Sequence, residues 1–274
     1  MSITTNGTLI TNRLALTLSK FKPELQFVRV SLDGADPEVH EYIRGRGSYK
    51  LVVRGIRHLR ANDIPVVVIS MIHKRTTFED VDKMYKLAEE LDFDVQYGSI
   101  FPVGEALKSW KSIFPSPASL IELSEYILKR QKERGLEDKG IETIEEGEYS
   151  LKKTLRRCGV GYKGITVMSN GMLSACYLLP LNKPYEKLLS VWREDLFLRK
   201  IRDYTREADV EICQKCKQRN FCFKTCIGAS FCVFGDFRDP SPYCILYHEY
   251  LNLDEELAKP YLKTLSKIGV DIDE

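Results

Sequence analysis

Short apolar runs alternate with amphipathic stretches through the first half of the chain. The apolar runs are rich in β-branched and aromatic residues, as buried strands are, and they cover residues 26–32, 64–72 and 93–101. The amphipathic stretches place apolar side chains three or four positions apart, which is the spacing of one helical face. They cover residues 48–61, 77–91 and 118–134. Strands that alternate with helices in this order predict an α/β fold with a parallel sheet.

The carboxyl ends of the predicted strands are candidate ligand positions, because parallel sheets bind ligands at that edge. These positions are residues 31–33, 70–73 and 99–103. Asp33 is the acidic residue there that could do acid/base work. The histidines are expected to have surface or capping roles instead. They are His40, His58, His73 and His248.

Composition and charge narrow the class of protein. The apolar content of 43% is enough for a substantial core, and 41 basic against 39 acidic residues leave no basic stripe for a phosphate backbone. The first residues lack the features of a signal peptide, and no apolar run is long enough for a membrane span. The sequence therefore predicts a cytoplasmic, soluble protein without a nucleic-acid or membrane partner.

All eight cysteines follow residue 157, and five of them lie between residues 212 and 232. They are Cys158, Cys176, Cys213, Cys216, Cys222, Cys226, Cys232 and Cys244. In a reducing cytoplasm, cysteines clustered in this way serve as metal ligands more often than as disulfides. Eight thiols divide into two sites of four, and the spacing alone fits two structural zinc sites or two iron–sulfur clusters equally well.

The order of these cysteines resembles the SPASM domain, the C-terminal module of many radical S-adenosylmethionine (radical SAM) enzymes. The resemblance lies in Cys158, Gly171 and Cys176, then in C-x2-C-x5-C-x3-C from Cys213, then in Cys244. Gly171 is expected to permit a tight approach between the strands that carry ligands, where a Cβ would intrude.

The first half of the chain is similar to the radical SAM barrel. Together with the cysteine-rich part, the resemblance covers the chain from its first residues to about residue 250. The similar segments are SITTNGTLIT from Ser2, VSLDGADPEVHEYIRG from Val30, GSY from Gly47 and FPVG from Phe101. The resemblance implies a partial (β/α) barrel over residues 1–134, lacking its first units, and a linker over 135–157. A small cysteine-rich SPASM domain would follow over 158–250, with a helical tail over 251–274.

The resemblance also implies two auxiliary [4Fe–4S] clusters. The ligands of the first would be Cys158, Cys176 and Cys226, and those of the second Cys213, Cys216, Cys222 and Cys244. Cys232 would be either an additional ligand of the first cluster or a buried free thiol. Aromatic side chains are expected to shield the clusters from water: Phe221, Phe223, Phe231, Phe234 and Phe237.

S-adenosylmethionine is the other implied cofactor. Ser31 would bond its ribose or carboxylate, Arg44 would pair with its carboxylate, and Asn6 would lie in the cofactor cleft. An arginine fork suits a carboxylate geometrically. The alternatives that the residues alone leave open are an ordinary turn at residues 31–34 and a solvated charge at Arg44.

The implied function is that of a maturase, which uses a 5′-deoxyadenosyl radical to act on a peptide, protein or cofactor precursor. It would receive electrons from a low-potential donor such as ferredoxin or flavodoxin. The alternatives are a non-enzymatic iron–sulfur protein for electron transfer or partner binding, and a structural zinc protein.

One expected motif is missing from the sequence. The C-x3-C-x2-C motif that holds the S-adenosylmethionine cluster in this family does not occur in the 274 residues. We therefore expect either an N-terminally truncated enzyme or a degenerate relative that kept only the auxiliary clusters. In both cases the chain as printed is expected to be inactive alone.

Overall fold

The computed structural model describes residues 1–135, 160–162, 164–203, 210–217 and 226–271. The chain divides into a first unit of residues 1–100 and 111–142 and a second unit of residues 101–110 and 143–274. The linker predicted over 135–157 lies almost entirely outside the described residues.

A parallel sheet forms the centre of the first unit, in the order β1-β2-β3-β4. Its strands are β1 (Ser2–Thr5), β2 (Phe27–Ser31), β3 (Val66–Ile72) and β4 (Asp94–Ser99). Three of these strands were predicted from apolar runs, and the predicted α/β class with a parallel sheet is confirmed. The core side chains include Val28, Val30 and Val68, which are fully buried.

Helices lie between these strands and after β4. They are α1 (Asn12–Ser19), α2 (Pro37–Arg44), α3 (Ser48–Ala61), α4 (Phe78–Leu91), α5 (Gly104–Lys108), α6 (Trp110–Ile113) and α7 (Pro117–Glu133). The predicted helices correspond to α3, α4 and α7. The start of α4 is fixed by Thr77 and Asp80, which cap each other's backbone N–H groups in a capping box.

Glycine allows one close approach within the first unit. A Cβ built on Gly55 of α3 would lie 2.4 Å from the carbonyl oxygen of Gly7 and 3.1 Å from Cβ of Ile10. Gly7 itself has φ +76°, a conformation that L-residues rarely adopt. The loop after β1 can therefore pack directly on the backbone of α3.

The second unit contains an antiparallel sheet in the order β5-β6-β7. Its strands are β5 (Thr166–Val167), β6 (Met172–Cys176) and β7 (Leu179–Pro184). Helices α8 (Leu188–Glu194), α9 (Leu196–Asp203), α10 (Glu211–Gln214), α11 (Ile227–Phe234), α12 (Pro242–Leu246) and α13 (Glu255–Lys267) follow.

Two apolar cores organise the second unit. The sheet core packs β6 and β7 against α8, α9 and α11, with Leu173, Leu179 and Leu198 almost fully buried. The helical core packs α10, α12 and α13 around Ile245 and Leu265. The described cysteines lie at or near these two cores.

Candidate functional site

The carboxyl edge of the parallel sheet holds a buried carboxylate, Asp33. It lies two residues beyond the end of β2 and is 1% exposed. Its oxygens accept hydrogen bonds from Nε of Arg44 at 2.5 Å, from Nη2 of Arg44 at 3.4 Å and from the backbone N–H of Met71 at 2.9 Å. Asp33 thus joins the end of β2 to β3 and to the last residue of α2.

Two histidines are buried beside this carboxylate. Nδ1 of His40 accepts the backbone N–H of Asp33 at 3.1 Å, so the proton of the neutral ring is on Nε2. Nδ1 of His73 accepts the backbone N–H of Arg75 at 3.3 Å. Burial lowers the pKa of both rings, with partial opposition from the charge of Asp33.

The predicted surface location is wrong for His40 and His73, both of which are fully buried. His40 is on α2, a helix that the apolar pattern did not reveal, and it faces the same side as buried Val39. His73 directly follows the last residue of β3 and is carried inward with it. Two features of the sequence could have indicated this burial: the apolar residue beside His40 and the apolar strand before His73.

The other predicted cofactor residues have the following surroundings. Ser31 is the last residue of β2 and is half-buried. Arg44 is paired with Asp33 and its side chain is 32% exposed, so the alternative of a solvated charge does not describe it. Asn6 is exposed and its side-chain oxygen accepts the backbone N–H of Thr8 at 3.2 Å, which forms a turn. The cofactor roles of these three residues remain predictions.

Three of the predicted cluster ligands surround the turn between β6 and β7. Cys176 ends β6, and Cys226 caps the start of α11, where its Sγ accepts the N–H of Ala229 at 3.4 Å. The Cys232 thiol donates to the carbonyl oxygen of Leu178 at 3.3 Å, and the residue is exposed, so the alternative of a buried thiol is wrong. Partial burial raises the pKa of Tyr177 in this turn, and so do the charges of all three cysteines.

A glycine lets this turn approach α11. A Cβ on Gly228 would lie 2.8 Å from Cβ of Leu178 and 3.5 Å from Sγ of Cys176. The close approach is possible because glycine has no Cβ. From the sequence, such a close approach is expected at Gly171. At Gly171 that expectation is wrong, because a Cβ there would make an ordinary contact of 3.7 Å with Tyr185; glycine suits the position through its φ of +78°.

The other described cysteines lie at the helical core of the second unit. Cys213 is on α10 and packs against this core, Cys216 follows two residues beyond the helix, and Cys244 is on α12. Tyr261 of α13 lies near Cys213, and burial together with Asp239 raises its pKa. Cys158 and Cys222 lie outside the described residues.

Aromatic rings flank both groups of cysteines. Phe231 and Phe237 each contact Phe197, at centroid distances of 5.6 and 5.9 Å, in the core that also contains Cys176. Phe234 contacts Tyr261 at 5.0 Å in the core that contains Cys213. Phe221 and Phe223 lie outside the described residues.

The described cysteines lie beside apolar cores that contain aromatic rings. Among the described residues, no three His, Cys, Asp or Glu side chains are close enough together to hold one metal ion. Thiolates beside an apolar core, with aromatic rings around them, are suitable surroundings for an iron–sulfur cluster.

Comparison with protein families identifies the first unit. The model of the radical SAM superfamily matches residues 1–88, which contain β1 to β3 and the Asp33–Arg44 pair. This match is similarity to the radical SAM superfamily over residues 1–88. The resemblance predicted from the sequence is therefore confirmed.

Radical SAM relatives align with both units. Mycofactocin maturase MftC of Mycobacterium tuberculosis is 24% identical over 267 residues, which cover 95% of this chain and 67% of MftC. The AdoMet-dependent heme synthase of Methanosarcina barkeri is 28% identical over 266 residues, which cover 89% of this chain and 73% of the synthase. This chain thus spans about two thirds to three quarters of the length of these relatives.

Solved radical SAM structures share the fold. Streptococcus suis SuiB superposes with a TM-score of 0.60 at 19% identity, over 83% of this chain and 56% of SuiB. The anSMEcpe structure with bound AdoMet and Cp18Cys peptide superposes with a TM-score of 0.62 at 20% identity, over 97% of this chain and 76% of that one. Within the part of the chain that the structure describes, no helix is long and apolar enough to cross a membrane.

Proposed function

We propose that this chain forms most of a radical SAM/SPASM maturase that acts on a peptide, protein or cofactor precursor. MftC is named as a maturase, and its similarity to this chain covers 95% of the chain, including the cysteine-rich second unit. This observation carries the proposal. SuiB has also been solved bound to its precursor peptide SuiA. None of the relatives described above is named as an electron-transfer protein, so the non-enzymatic alternative has no support from them.

In this proposal the first unit binds S-adenosylmethionine at the carboxyl edge of its sheet. Ser31, at the end of β2, would bond the ribose or the carboxylate, and Arg44 would pair with the carboxylate. When reduced by an electron from an iron–sulfur cluster, this cofactor supplies the radical that removes hydrogen from the substrate. Asn6 would lie in the same cofactor cleft.

The second unit would hold two auxiliary [4Fe–4S] clusters, one at each of its cores. Cys176 and Cys226 would be ligands of the first cluster beside the sheet core. Cys158 would be a third ligand and Cys232 the fourth. The second set would be Cys213, Cys216, Cys222 and Cys244. The aromatic rings at each core would exclude water, which tunes the reduction potential of a cluster. A low-potential donor such as ferredoxin or flavodoxin, in the cytoplasm, would supply the electrons.

Iron analysis tests the cluster assignment. Protein purified or reconstituted without oxygen should contain about eight irons and show Mössbauer spectra of [4Fe–4S] clusters. Cys176→Ala and Cys213→Ala should each remove roughly half of the iron, because they belong to different ligand sets.

The matched control is the pair Cys213→Ala and Cys222→Ala, which share one set and together should remove no more iron than either change alone. Stoichiometric zinc with little iron after reconstitution would contradict the assignment. So would iron losses that add up for Cys213 and Cys222.

A further inference from the structure

We infer that Asp33 is a positioning residue that presents the Arg44 guanidinium to the carboxylate of S-adenosylmethionine. The inference rests on the proposed cofactor site. It assigns Asp33 a role that acts through Arg44, in place of the acid/base work that its sequence position suggested.

The contacts between the two side chains use only one edge of the guanidinium. Nε and Nη2 of Arg44 face the Asp33 oxygens, at 2.5 and 3.4 Å. A guanidinium carries five N–H donors in a planar fork. The end-on edge, formed by Nη1 and the second N–H of Nη2, therefore points away from Asp33 and can bind a second carboxylate in a bidentate manner.

The backbone fixes the carboxylate of Asp33. The N–H of Met71, on the neighbouring strand, donates to Oδ1 at 2.9 Å. The N–H of Asp33 itself donates to Nδ1 of buried His40 at 3.1 Å. The position of the Asp33 carboxylate is thus fixed by both β2 and β3. Because Arg44 pairs with this carboxylate, its guanidinium is fixed at the edge of the sheet where the strands end.

Exposure separates the roles of the two residues. The Asp33 side chain is fully buried, whereas the Arg44 side chain is 32% exposed. A carboxylate with no exposed surface and with three hydrogen bonds to this protein has no access to a substrate proton. Arg44 has one face on the carboxylate and another toward solvent, as a ligand-binding arginine requires.

A pair of ligands that differ in one group tests the inference. Binding of S-adenosylmethionine and of decarboxylated S-adenosylmethionine to the anaerobically prepared protein is measured by isothermal titration calorimetry. Asp33→Asn should weaken binding of S-adenosylmethionine at least tenfold and leave that of the decarboxylated compound within twofold. Arg44→Lys should show the same selectivity, and the double variant should lose no more than either single one.

The control variant is Glu41→Gln, on the same helix, whose carboxylate accepts the backbone N–H of Tyr49 and does not contact Arg44. It should bind both ligands as the wild type does. If Asp33→Asn fails to fold, Asp33→Glu keeps the charge and moves the carboxylate by one methylene, and it should show the same selectivity for the same reason.

Three outcomes would overturn the inference. Equal loss of both ligands would make Asp33 a purely structural residue, and unchanged binding of S-adenosylmethionine in Asp33→Asn would remove the role altogether. A wild-type protein that binds neither ligand would refute the proposed cofactor site itself, and with it the role of Asp33. That last result is distinguished from the first two because it appears without any substitution.

Discussion

At the residue scale, the two buried histidines make the first unit sensitive to acid. Burial holds the pKa of His40 and of His73 below the ordinary value of 6.5. The proton therefore binds more tightly in the unfolded chain. Stability is fully present above about pH 6.5 and is lost as the pH falls below it, by up to about 1.4 kcal/mol per pH unit for each histidine.

Charged neighbours reduce this effect without reversing it. Asp33 and Glu41 favour the protonated form of His40, and Arg44 opposes it; Asp33 and Asp80 favour the protonated form of His73. Urea unfolding between pH 7.5 and pH 5.5 should show a smaller loss of stability in His40→Gln and His73→Gln than in the wild type. His58→Gln, at a half-exposed position, is the matched control substitution. An unchanged slope in both buried variants would contradict the prediction.

At the element scale, the packing of the first loop on α3 depends on Gly55. Alanine in a helix interior normally stabilises a protein by about 0.5–1 kcal/mol relative to glycine. At Gly55 the added Cβ would lie 2.4 Å from the Gly7 carbonyl oxygen. We therefore expect Gly55→Ala to destabilise the protein by about 1–3 kcal/mol, because backbone must move.

Thermal and urea unfolding measure this change. Gly164→Ala is the matched control, since a Cβ at Gly164 meets nothing within 4 Å. It should leave stability within about 0.5 kcal/mol of the wild type. A Gly55→Ala variant as stable as the control would show that the loop can yield at no cost.

Elements with a continuous apolar run were predictable from the sequence, and elements with short, charged patterns were not. The strand predicted at 64–72 became β3, because a strand with one buried and one half-buried face is apolar at nearly every position. The eight residues of α2 carry buried Val39 and His40 among four charged or polar positions, which is too short a pattern to detect. Missing α2 concealed the burial of His40 and the pairing of Arg44 with Asp33.

At the scale of the whole molecule, some placements followed from strand order and cysteine order, and others arise only from packing. The predicted parallel topology placed Ser31 and Asp33 at the end of a strand. The restriction of cysteines to the second half of the chain predicted a separate cysteine-rich domain there. The neighbourhood of Cys176 and Cys226 joins positions about 50 residues apart, through the turn at Leu178 and the missing Cβ of Gly228. Spacing alone does not encode such a contact, because it arises from packing of a strand turn on a helix; only the resemblance to the SPASM domain implied it.

The strand order of the first unit also sets how its amides exchange with solvent. β2 and β3 are hydrogen-bonded on both sides, whereas β1 and β4 each have one neighbour in the described sheet. Edge strands open locally at a lower free energy than central ones. In deuterium oxide, the N–H groups of Val30 and Val68 should therefore exchange last and that of Ile3 early, as followed by NMR or mass spectrometry. Equal rates in all four strands would mean that the sheet opens as one cooperative body; a gradient from the edges inward would mean that it loosens strand by strand.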